Sequence, residues 1–297
     1  MYVLLGANGN ITSKAVRLLR AQNQSVRVVG RDAARLRALK EAGAELAVGD
    51  VQRAGFLADV FRGAEGVYTM IPPDYASPDH RAYQNAVGEA IAKAIAASGV
   101  RSVISLSSLG AGLPGGTGPI AGLHDQEERL KKLAGISVLH LRAGYFMENH
   151  LHAIPLIKAY GVYPGMIAPA APIAMIAAQD IAAAVAKELV TPSYQGQTVK
   201  NLLGQRDVTM SDAARTLGAA VGKPDLQYVQ ADQVQAKAGM VAAGFSPNVA
   251  DLFEEMCKAL SDGRISKTYT RDAGSTTPTS IEQFAAVFAA AYKASGH

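Results

Sequence analysis

Two glycines, Gly6 and Gly9, stand three residues apart in a turn near the start of the chain. The turn follows an apolar run over residues 2–5 and precedes a helical pattern over residues 12–22. Glycines let a backbone approach a pyrophosphate closely, and the free amides at a helix start donate hydrogen bonds to it. This order of strand, turn and helix predicts dinucleotide binding. The residues expected to contact the ligand are Gly6, Asn8, Gly9, Asn10 and Ile11.

The strict dinucleotide fingerprint has a third glycine where this chain has Thr12. Two glycines alone could serve only the turn, so the prediction needs support from elsewhere in the chain. That support comes about twenty residues further on, at the position where such folds recognise the adenine ribose. There the next predicted strand, residues 26–29, is followed by Gly30, Arg31 and Asp32.

Arg31 at the end of this strand bears on the choice of cofactor. A guanidinium can pair with a 2′-phosphate and stack on adenine, whereas an aspartate such as Asp32 would accept from the ribose hydroxyls of NAD. A charge-assisted hydrogen bond of roughly 1.5–3 kcal/mol corresponds to about a ten- to hundredfold preference. Because Arg31 comes first, we expect NADP(H) to be preferred over NAD(H). The alternative is a solvated Arg31, with Asp32 as the ribose partner or as a helix N-cap.

Other candidate ligand contacts follow the next three predicted strands. Asp50, followed by Val51, could accept from the adenine amino group, or could instead be a turn aspartate that caps the next helix. Ile71 and Pro72 begin a loop that prolines stiffen, and we expect this loop beside the nicotinamide ribose. Ser107 could bind cofactor or substrate near the nicotinamide, although serine at a strand end is also ordinary turn chemistry.

The elements that would position these residues alternate along the first half of the chain. Short apolar runs alternate with helical patterns, which predicts an α/β fold, a Rossmann-type doubly wound parallel sheet with ligands at the carboxyl ends of its strands. The predicted strands are residues 3–5, 26–29, 45–48, 66–71, 103–107 and 137–141. The predicted helices between them are residues 12–22, 33–42, 53–62, 79–97 and 125–134.

After residue 141 the pattern changes, which indicates a second region. We expect an NAD(P)-binding Rossmann domain over residues 1–145, to which residues 176–204 return through a helix at 179–190 and a strand at 198–203. Residues 146–297 otherwise form a smaller, mostly helical C-terminal region that shapes the substrate site. Its predicted helices are residues 211–221, 231–243, 250–260 and 281–293.

The composition is that of an ordinary globular chain, with 297 residues of which 49% are hydrophobic. The net charge of +4 is scattered, so no direct nucleic-acid partner is expected. The single cysteine, Cys257, excludes an intramolecular disulfide and is interpreted as a small buried residue. The first strand begins at residue 2 and no apolar stretch could span a bilayer, so we expect a cytoplasmic protein without a membrane partner.

Several of these features together resemble the NmrA-like family of atypical short-chain dehydrogenase/reductases, and the resemblance spans nearly the whole chain. They are the opening turn, Arg31, the Asp50 turn, residues 180–183 and the C-terminal stretches 202–204, 211–214 and 276–284. The most specific segment runs from His124-Asp125-Gln126-Glu127-Glu128 to Leu141-Arg142-Ala143-Gly144-Tyr145-Phe146-Met147-Glu148-Asn149. The resemblance implies an NADP(H)-binding Rossmann domain with a small C-terminal region. Its members include NADPH-dependent quinone and dye reductases and also cofactor-sensing regulators without turnover.

The catalytic residues are less evident than the cofactor turn. Typical short-chain dehydrogenases carry a lysine four residues after the catalytic tyrosine, and none of the 11 tyrosines here has one. The resemblance points instead to His124, at the start of the following helix, for proton delivery or ribose binding; a helix-start histidine without a catalytic role is the alternative. Tyr145, Phe146 and Asn149 resemble the family segment near the nicotinamide, with core packing equally open for Phe146.

The function expected from these residues is hydride transfer from NADPH to a small organic acceptor, with a quinone as the candidate. The alternative is an NADP(H)-sensing regulatory protein without turnover, which would bind a protein partner. We expect no metal, since His150 and His152 would point about 200° apart on a helix. The sequence leaves the oligomeric state open, with a homodimer as one candidate.

Overall fold

Residues 1–296 are described by the computed structural model, in which twelve strands and eleven α-helices follow one another. The strands are β1 (Tyr2–Leu4), β2 (Val26–Gly30), β3 (Glu45–Val48), β4 (Gly66–Thr69), β5 (Ser102–Ser108), β6 (Ser137–Ala143), β7 (Tyr145–Phe146), β8 (Tyr163–Gly165), β9 (Ile173–Ile176), β10 (Gln197–Leu202), β11 (Asp207–Val208) and β12 (Tyr228–Gln230). The α-helices are α1 (Asn10–Ala21), α2 (Arg37–Glu41), α3 (Ala54–Phe61), α4 (His80–Ser98), α5 (Ile120–Leu130), α6 (Ile154–Tyr160), α7 (Ala178–Val190), α8 (Met210–Ala220), α9 (Gln233–Ala242), α10 (Pro247–Ser261) and α11 (Ile281–Ala294). Two 3-10 helices span Met147–Ala153 and Ser266–Thr268.

Seven strands form one sheet in the order β3-β2-β1-β4-β5-β6-β10, and every neighbouring pair is parallel. The chain fills one half of the sheet from β1 to β3 and then crosses back to β4. The strand order therefore reverses between β1 and β4, which leaves a crevice at the carboxyl ends of these strands. The predicted α/β fold with a doubly wound parallel sheet is confirmed.

Helices bury both faces of this sheet. On one face α1 and α7 pack together, with Leu19 and Val185 fully buried among the side chains of the strands. On the other face α3, α4 and α5 cover a second core that contains Phe61 and Ile95. Because apolar side chains on both faces leave the water, roughly 1.5–3 kcal/mol for each large one, the sheet forms a rigid platform below its carboxyl edge.

The C-terminal region has a core of its own, built around Ile157, Met175, Leu217 and Phe288. Beyond residue 146 this region contains four short strands in addition to its helices, namely β8, β9, β11 and β12. They belong to two small sheets, β11-β9-β7 and β12-β8. Strands of two to four residues are too short to show a periodicity, which is why the sequence predicted a mostly helical region without them. The division of the chain into two domains stays a prediction.

Three predicted elements differ from the structure at or beside residues of the predicted site. The predicted helix at 33–42 is only α2, because turns precede it and the Asp32 carboxylate accepts a hydrogen bond from the Ala34 amide at 2.9 Å. The predicted strand at 66–71 ends at Thr69, ahead of the two prolines. The predicted helix at 125–134 is α5, which begins at Ile120, so His124 lies in its second turn and not at its start.

The other predicted helices and strands agree with the structure within three residues at each end. Among them is β10, which pairs in parallel with β6 and so returns to the main sheet. None of the α-helices in residues 1–296 combines the length and hydropathy that a bilayer crossing requires.

Candidate cofactor and substrate site

The glycine turn has the backbone geometry that close approach to a ligand requires. Gly6 has φ +73°, and a Cβ built there would lie 2.8 Å from the Sδ atom of Met70. The Gly9 amide donates to the Gly6 carbonyl at 2.8 Å, which closes the turn. Gly9 is the N-cap of α1 and offers no side chain, and the first turn of this helix carries no acidic residue. The start of α1 is thus open to an anion.

The structure explains why Thr12 stands where the dinucleotide fingerprint has its third glycine. Its side chain is 1% exposed, and its hydroxyl donates to the Leu5 carbonyl at 2.8 Å. A short side chain with a satisfied hydroxyl fits between β1 and α1 and fixes the helix against the strand. The departure from the fingerprint therefore keeps helix and strand in close contact, which is the task of the third glycine elsewhere.

Arg31 follows the end of β2 and is exposed. Within residues 1–296 its guanidinium makes no hydrogen bond or ion pair with another residue of the chain. The Asp32 carboxylate, by contrast, holds the turn before α2 and lies 3.5 Å from Arg35. Arg31 is therefore the residue of this pair that has its donors available for a ligand, and its contact with a 2′-phosphate stays a prediction.

Asp50 and Val51 lie in the turn after β3. The Asp50 carboxylate accepts from the Gln52 amide at 2.9 Å, while the N-cap of α3 is Arg53. Asp50 thus stabilises the turn and does not cap the helix, and Val51 is buried beneath it. Asp50 and Arg31 are both close enough to Tyr83 on α4 to influence its phenol, whose pKa is raised mainly by burial. The two residues therefore face the same edge of the sheet, and adenine contacts from Asp50 and Val51 stay a prediction.

A cavity of about 590 Å³ lies at the carboxyl ends of β4, β5 and β6, between the sheet and the C-terminal region. Six of the residues that the sequence predicted for the site line this cavity together. They are Ile71, Pro72, Ser107, Tyr145, Phe146 and Asn149. Much of the remaining wall comes from α9, α10 and the segments around β8 and β9, so the C-terminal region closes a space that the sheet alone leaves open.

Tyr145 lies on β7, which begins two residues after the end of β6. Burial raises the pKa of its phenol, the nearby Cys257 thiol raises it further, and Asn149 acts in the opposite direction. Because the pKa is above its ordinary value of about 10, the phenol keeps its proton at physiological pH. Tyr145 can therefore donate a hydrogen bond into the cavity without carrying charge. Burial likewise raises the pKa of Cys257 to about 12, so this thiol is unreactive.

Ser107 is not a free hydroxyl. It is buried, and its Oγ donates to Glu127 Oε1 at 2.6 Å. Glu127 is 1% exposed and is paired with Arg142 of β6. Glu127 and Arg142 both belong to the segment that resembles the family, but no role was predicted for either. A charged residue inside the apolar pattern of a helix, matched by one of opposite sign in the next strand, is the signal that could have found this pair.

His124 is placed differently from the expectation. Its ring Nδ1 lies 2.9 Å from the Ala111 carbonyl, which makes Nδ1 the protonated nitrogen. The residues that line the cavity include its neighbour Leu123 but not His124. The structure thus gives His124 a contact to the loop before α5, and proton delivery by this residue stays a prediction.

A buried pair of aromatic side chains, absent from the predicted site, supports the cavity wall. His150 is 0% exposed, and its Nδ1 lies 2.6 Å from the Tyr163 hydroxyl. Burial lowers the pKa of His150 to about 4, so the imidazole is neutral. The Tyr145 ring lies 5.7 Å from the His150 ring, measured between centroids. His152 is exposed, and residues 1–296 contain no group of three or more His, Cys, Asp or Glu that could hold a metal ion.

Comparison with known proteins agrees with this architecture. A model of the NmrA-like family matches residues 2–285. The NAD(P)H azoreductase of Xenophilus azovorans is 27% identical over 256 residues, which cover 86% of each chain. Quinone oxidoreductase 2 of Escherichia coli K12 is 25% identical over 297 residues, covering 97% of this chain and 99% of the relative. The crystal structure of NADPH-dependent quinone oxidoreductase QOR2 from Escherichia coli, complexed with NADPH, superposes with a TM-score of 0.79 at 22% identity, covering 97% of this chain and 99% of that one.

Proposed function

The chain belongs to the NmrA-like family, and from this premise we propose that it is an NADPH-dependent oxidoreductase that transfers hydride to a small organic acceptor such as a quinone. The observation that carries the proposal is the cavity of about 590 Å³ at the carboxyl ends of β4, β5 and β6. A dinucleotide bound across this edge of the sheet would place its nicotinamide there. The rest of the cavity is then the space for an acceptor.

The residues at the other end of the site fit the cofactor. At Gly6 a side chain would fill the turn, and the uncapped start of α1 offers amides for the pyrophosphate. Arg31 would bind the 2′-phosphate, which makes NADP(H) the preferred cofactor over NAD(H). The remaining contacts follow the order of the strands, with Asp50 and Val51 toward adenine, Ile71 and Pro72 toward the nicotinamide ribose, and Ser107, Tyr145, Phe146 and Asn149 toward the nicotinamide.

When bound, the reduced nicotinamide supplies the hydride. The chain supplies position and a dry surrounding, since Leu106, Phe146 and Ile173 line the cavity and keep water from the reacting atoms. Negative charge develops on the acceptor oxygen as hydride arrives, and the neutral Tyr145 phenol stabilises it by donating a hydrogen bond. A hydroquinone anion then takes its proton from water, or from His124 if that residue has the role predicted for it.

The alternative function is an NADP(H)-sensing regulator without turnover. A sensor would have no use for the part of the cavity that lies beside the nicotinamide position. The named relatives are an azoreductase and a quinone oxidoreductase. Both observations support turnover, and a protein partner would be needed only by a sensor.

The test is to mix the purified protein with NADPH and, in turn, with quinones, azo dyes and aldehydes, and to follow the loss of nicotinamide absorbance. We expect turnover with quinones and faster turnover with NADPH than with NADH. Binding of NADPH by calorimetry without turnover of any acceptor would contradict the reductase and favour the sensor.

A further inference from the structure

Three aromatic rings meet at the outer side of the cavity. Tyr75, in the loop after β4, stacks on Phe245, with ring centroids 4.8 Å apart and an interplanar angle of 13°. Phe253 of α10 stands edge-on to both, at centroid distances of 5.8 Å from Tyr75 and 5.9 Å from Phe245. All three rings line the cavity. We call these three residues the aromatic cluster.

The aromatic cluster lies outside the hydrophobic cores. None of its rings belongs to the four clusters of buried apolar residues found in residues 1–296. Tyr75 is 43% exposed, and Phe245 and Phe253 are half-buried. Rings that are left partly open beside a cavity have faces and edges available for a ligand.

Hydrogen bonds between the loop after β4 and the start of α10 hold the aromatic cluster in place across the cavity mouth. The Ser246 amide donates to the Tyr75 carbonyl at 2.8 Å, and the Ser246 hydroxyl donates to the Ser77 carbonyl at 2.6 Å. The His80 amide donates to the Asn248 side chain at 2.9 Å. The loop after β4 and the start of α10 are therefore fastened together, so the rings are positioned before any ligand arrives and lose little freedom on binding.

We propose that the aromatic cluster determines acceptor specificity by selecting flat acceptors with fused aromatic rings. The inference rests on the proposed function and deepens it. The carbonyl of such an acceptor faces Tyr145 at the strand ends, while its outer rings pack against the aromatic cluster and the adjacent Met240, whose thioether adapts to flat rings. A one-ring acceptor reaches the strand ends but not the outer wall, so it gains nothing from these contacts.

The experiment compares acceptors that differ in ring number on variants of the aromatic cluster. We expect Phe245→Leu and Phe253→Leu to lower kcat/KM for anthraquinone-type, three-ring acceptors by about three- to tenfold, the effect of one lost aromatic contact, and to leave kcat/KM for benzoquinone unchanged. Tyr75→Phe keeps the aromatic ring, so the ratio of kcat/KM for three-ring acceptors to kcat/KM for benzoquinone should stay at its wild-type value. The matched control is Tyr160→Leu, which removes an exposed ring on α6 that does not line the cavity.

A binding measurement separates this inference from the proposed function. Anthracenemethanol and benzyl alcohol carry the same polar group on three rings and on one, and neither accepts hydride. We expect anthracenemethanol to bind the NADP⁺-loaded protein more tightly, by fluorescence titration, and Phe245→Leu to remove most of the difference. If no acceptor is reduced but this binding pattern holds, the reductase is wrong and the selection of fused-ring ligands by the aromatic cluster stands. If quinones are reduced and the three-ring preference is absent or unchanged in Phe245→Leu, the specificity is wrong and the reductase stands.

Discussion

The Glu127 carboxylate and the Arg142 guanidinium form a two-bond ion pair, with distances of 2.9 Å from Oε1 to Nε and 2.6 Å from Oε2 to Nη2. The pair joins α5 to β6 beneath the cavity, and Ser107 of β5 adds a third hydrogen bond. Burial by itself would raise the pKa of Glu127, but the hydrogen bonds from Arg142 and Ser107 outweigh it and hold the pKa below its ordinary value. The base of the cavity therefore contains the charged Glu127 carboxylate, and its hydrogen-bond partners are the side chains of Arg142 and Ser107.

Glu127→Gln should destabilise the protein by about 3–5 kcal/mol near neutral pH, because the partly buried Arg142 charge loses its buried partner. The folded pKa of Glu127 is lowered, so its contribution is complete above the unfolded pKa of about 4.3 and is lost as pH falls through the folded pKa. Urea unfolding at neutral and acid pH measures this, and the gap between variant and wild type should shrink in acid. The control is Glu128→Gln, next in sequence but exposed, which should change little. Equal destabilisation in both variants would show that the buried pair contributes nothing of its own.

Arg31→Ala should weaken NADPH binding by about ten- to hundredfold and leave NADH binding nearly unchanged, since only NADPH carries the 2′-phosphate. Isothermal titration with both nucleotides measures this. Arg35→Ala is the matched control, because Arg35 is a nearby exposed arginine that pairs with Asp32. Losses of similar size for NADPH and NADH would contradict the prediction that Arg31 binds the 2′-phosphate.

Gly6→Ala should abolish most NADPH binding and destabilise the fold, because the residue has φ +73° and the new methyl group would displace Met70. Gly63→Ala is the matched control for the backbone cost alone. Gly63 has φ +74° but no atom within 4 Å of its built Cβ. We expect the control to lose about 1–2 kcal/mol of stability and no cofactor affinity. Thermal melting and NADPH titration of both variants measure the difference, and unaltered NADPH binding in Gly6→Ala would contradict a pyrophosphate at this turn.

Tyr145→Phe should lower kcat/KM for quinones by about a hundredfold with little change in NADPH affinity, because it removes a hydrogen-bond donor to the developing charge. Since the pKa of this phenol is raised, its neutral form persists and the wild-type rate should show no loss from Tyr145 ionisation up to about pH 10. A pH profile of kcat/KM measures this. Tyr160→Phe, on the exposed face of α6, is the control. A profile that falls with an apparent pKa well below 10 and is flattened by Tyr145→Phe would refute a neutral donor.

His124→Gln distinguishes the two roles left open for that residue. If His124 delivers a proton, the variant should lose kcat while its melting temperature and NADPH affinity stay near those of the wild type. If the contact to the Ala111 carbonyl is its main role, the melting temperature should fall and kcat should remain. Steady-state kinetics together with thermal melting of the same preparation tell these outcomes apart.

The sequence by itself determined the architecture and predicted the cofactor end of the site. Alternating periodicities, glycines at a turn and prolines after a strand are local signals, and each acts on residues within one or two elements. They predicted the doubly wound sheet, the Gly6 and Gly9 turn and the position of Arg31 at the end of β2, as well as the late strand that became β10.

Only the tertiary structure decided how distant side chains meet. Ser107, Glu127 and Arg142 come from three consecutive elements, and nothing in the local sequence pairs them until α5 folds onto the sheet. Tyr75 and Phe245 are separated by most of the chain, and their stacking depends on how the C-terminal region packs over the strand ends. Such contacts have no periodicity along the chain, because burial and three-dimensional geometry select the partners. The acceptor side of the cavity could therefore be identified only from the tertiary structure.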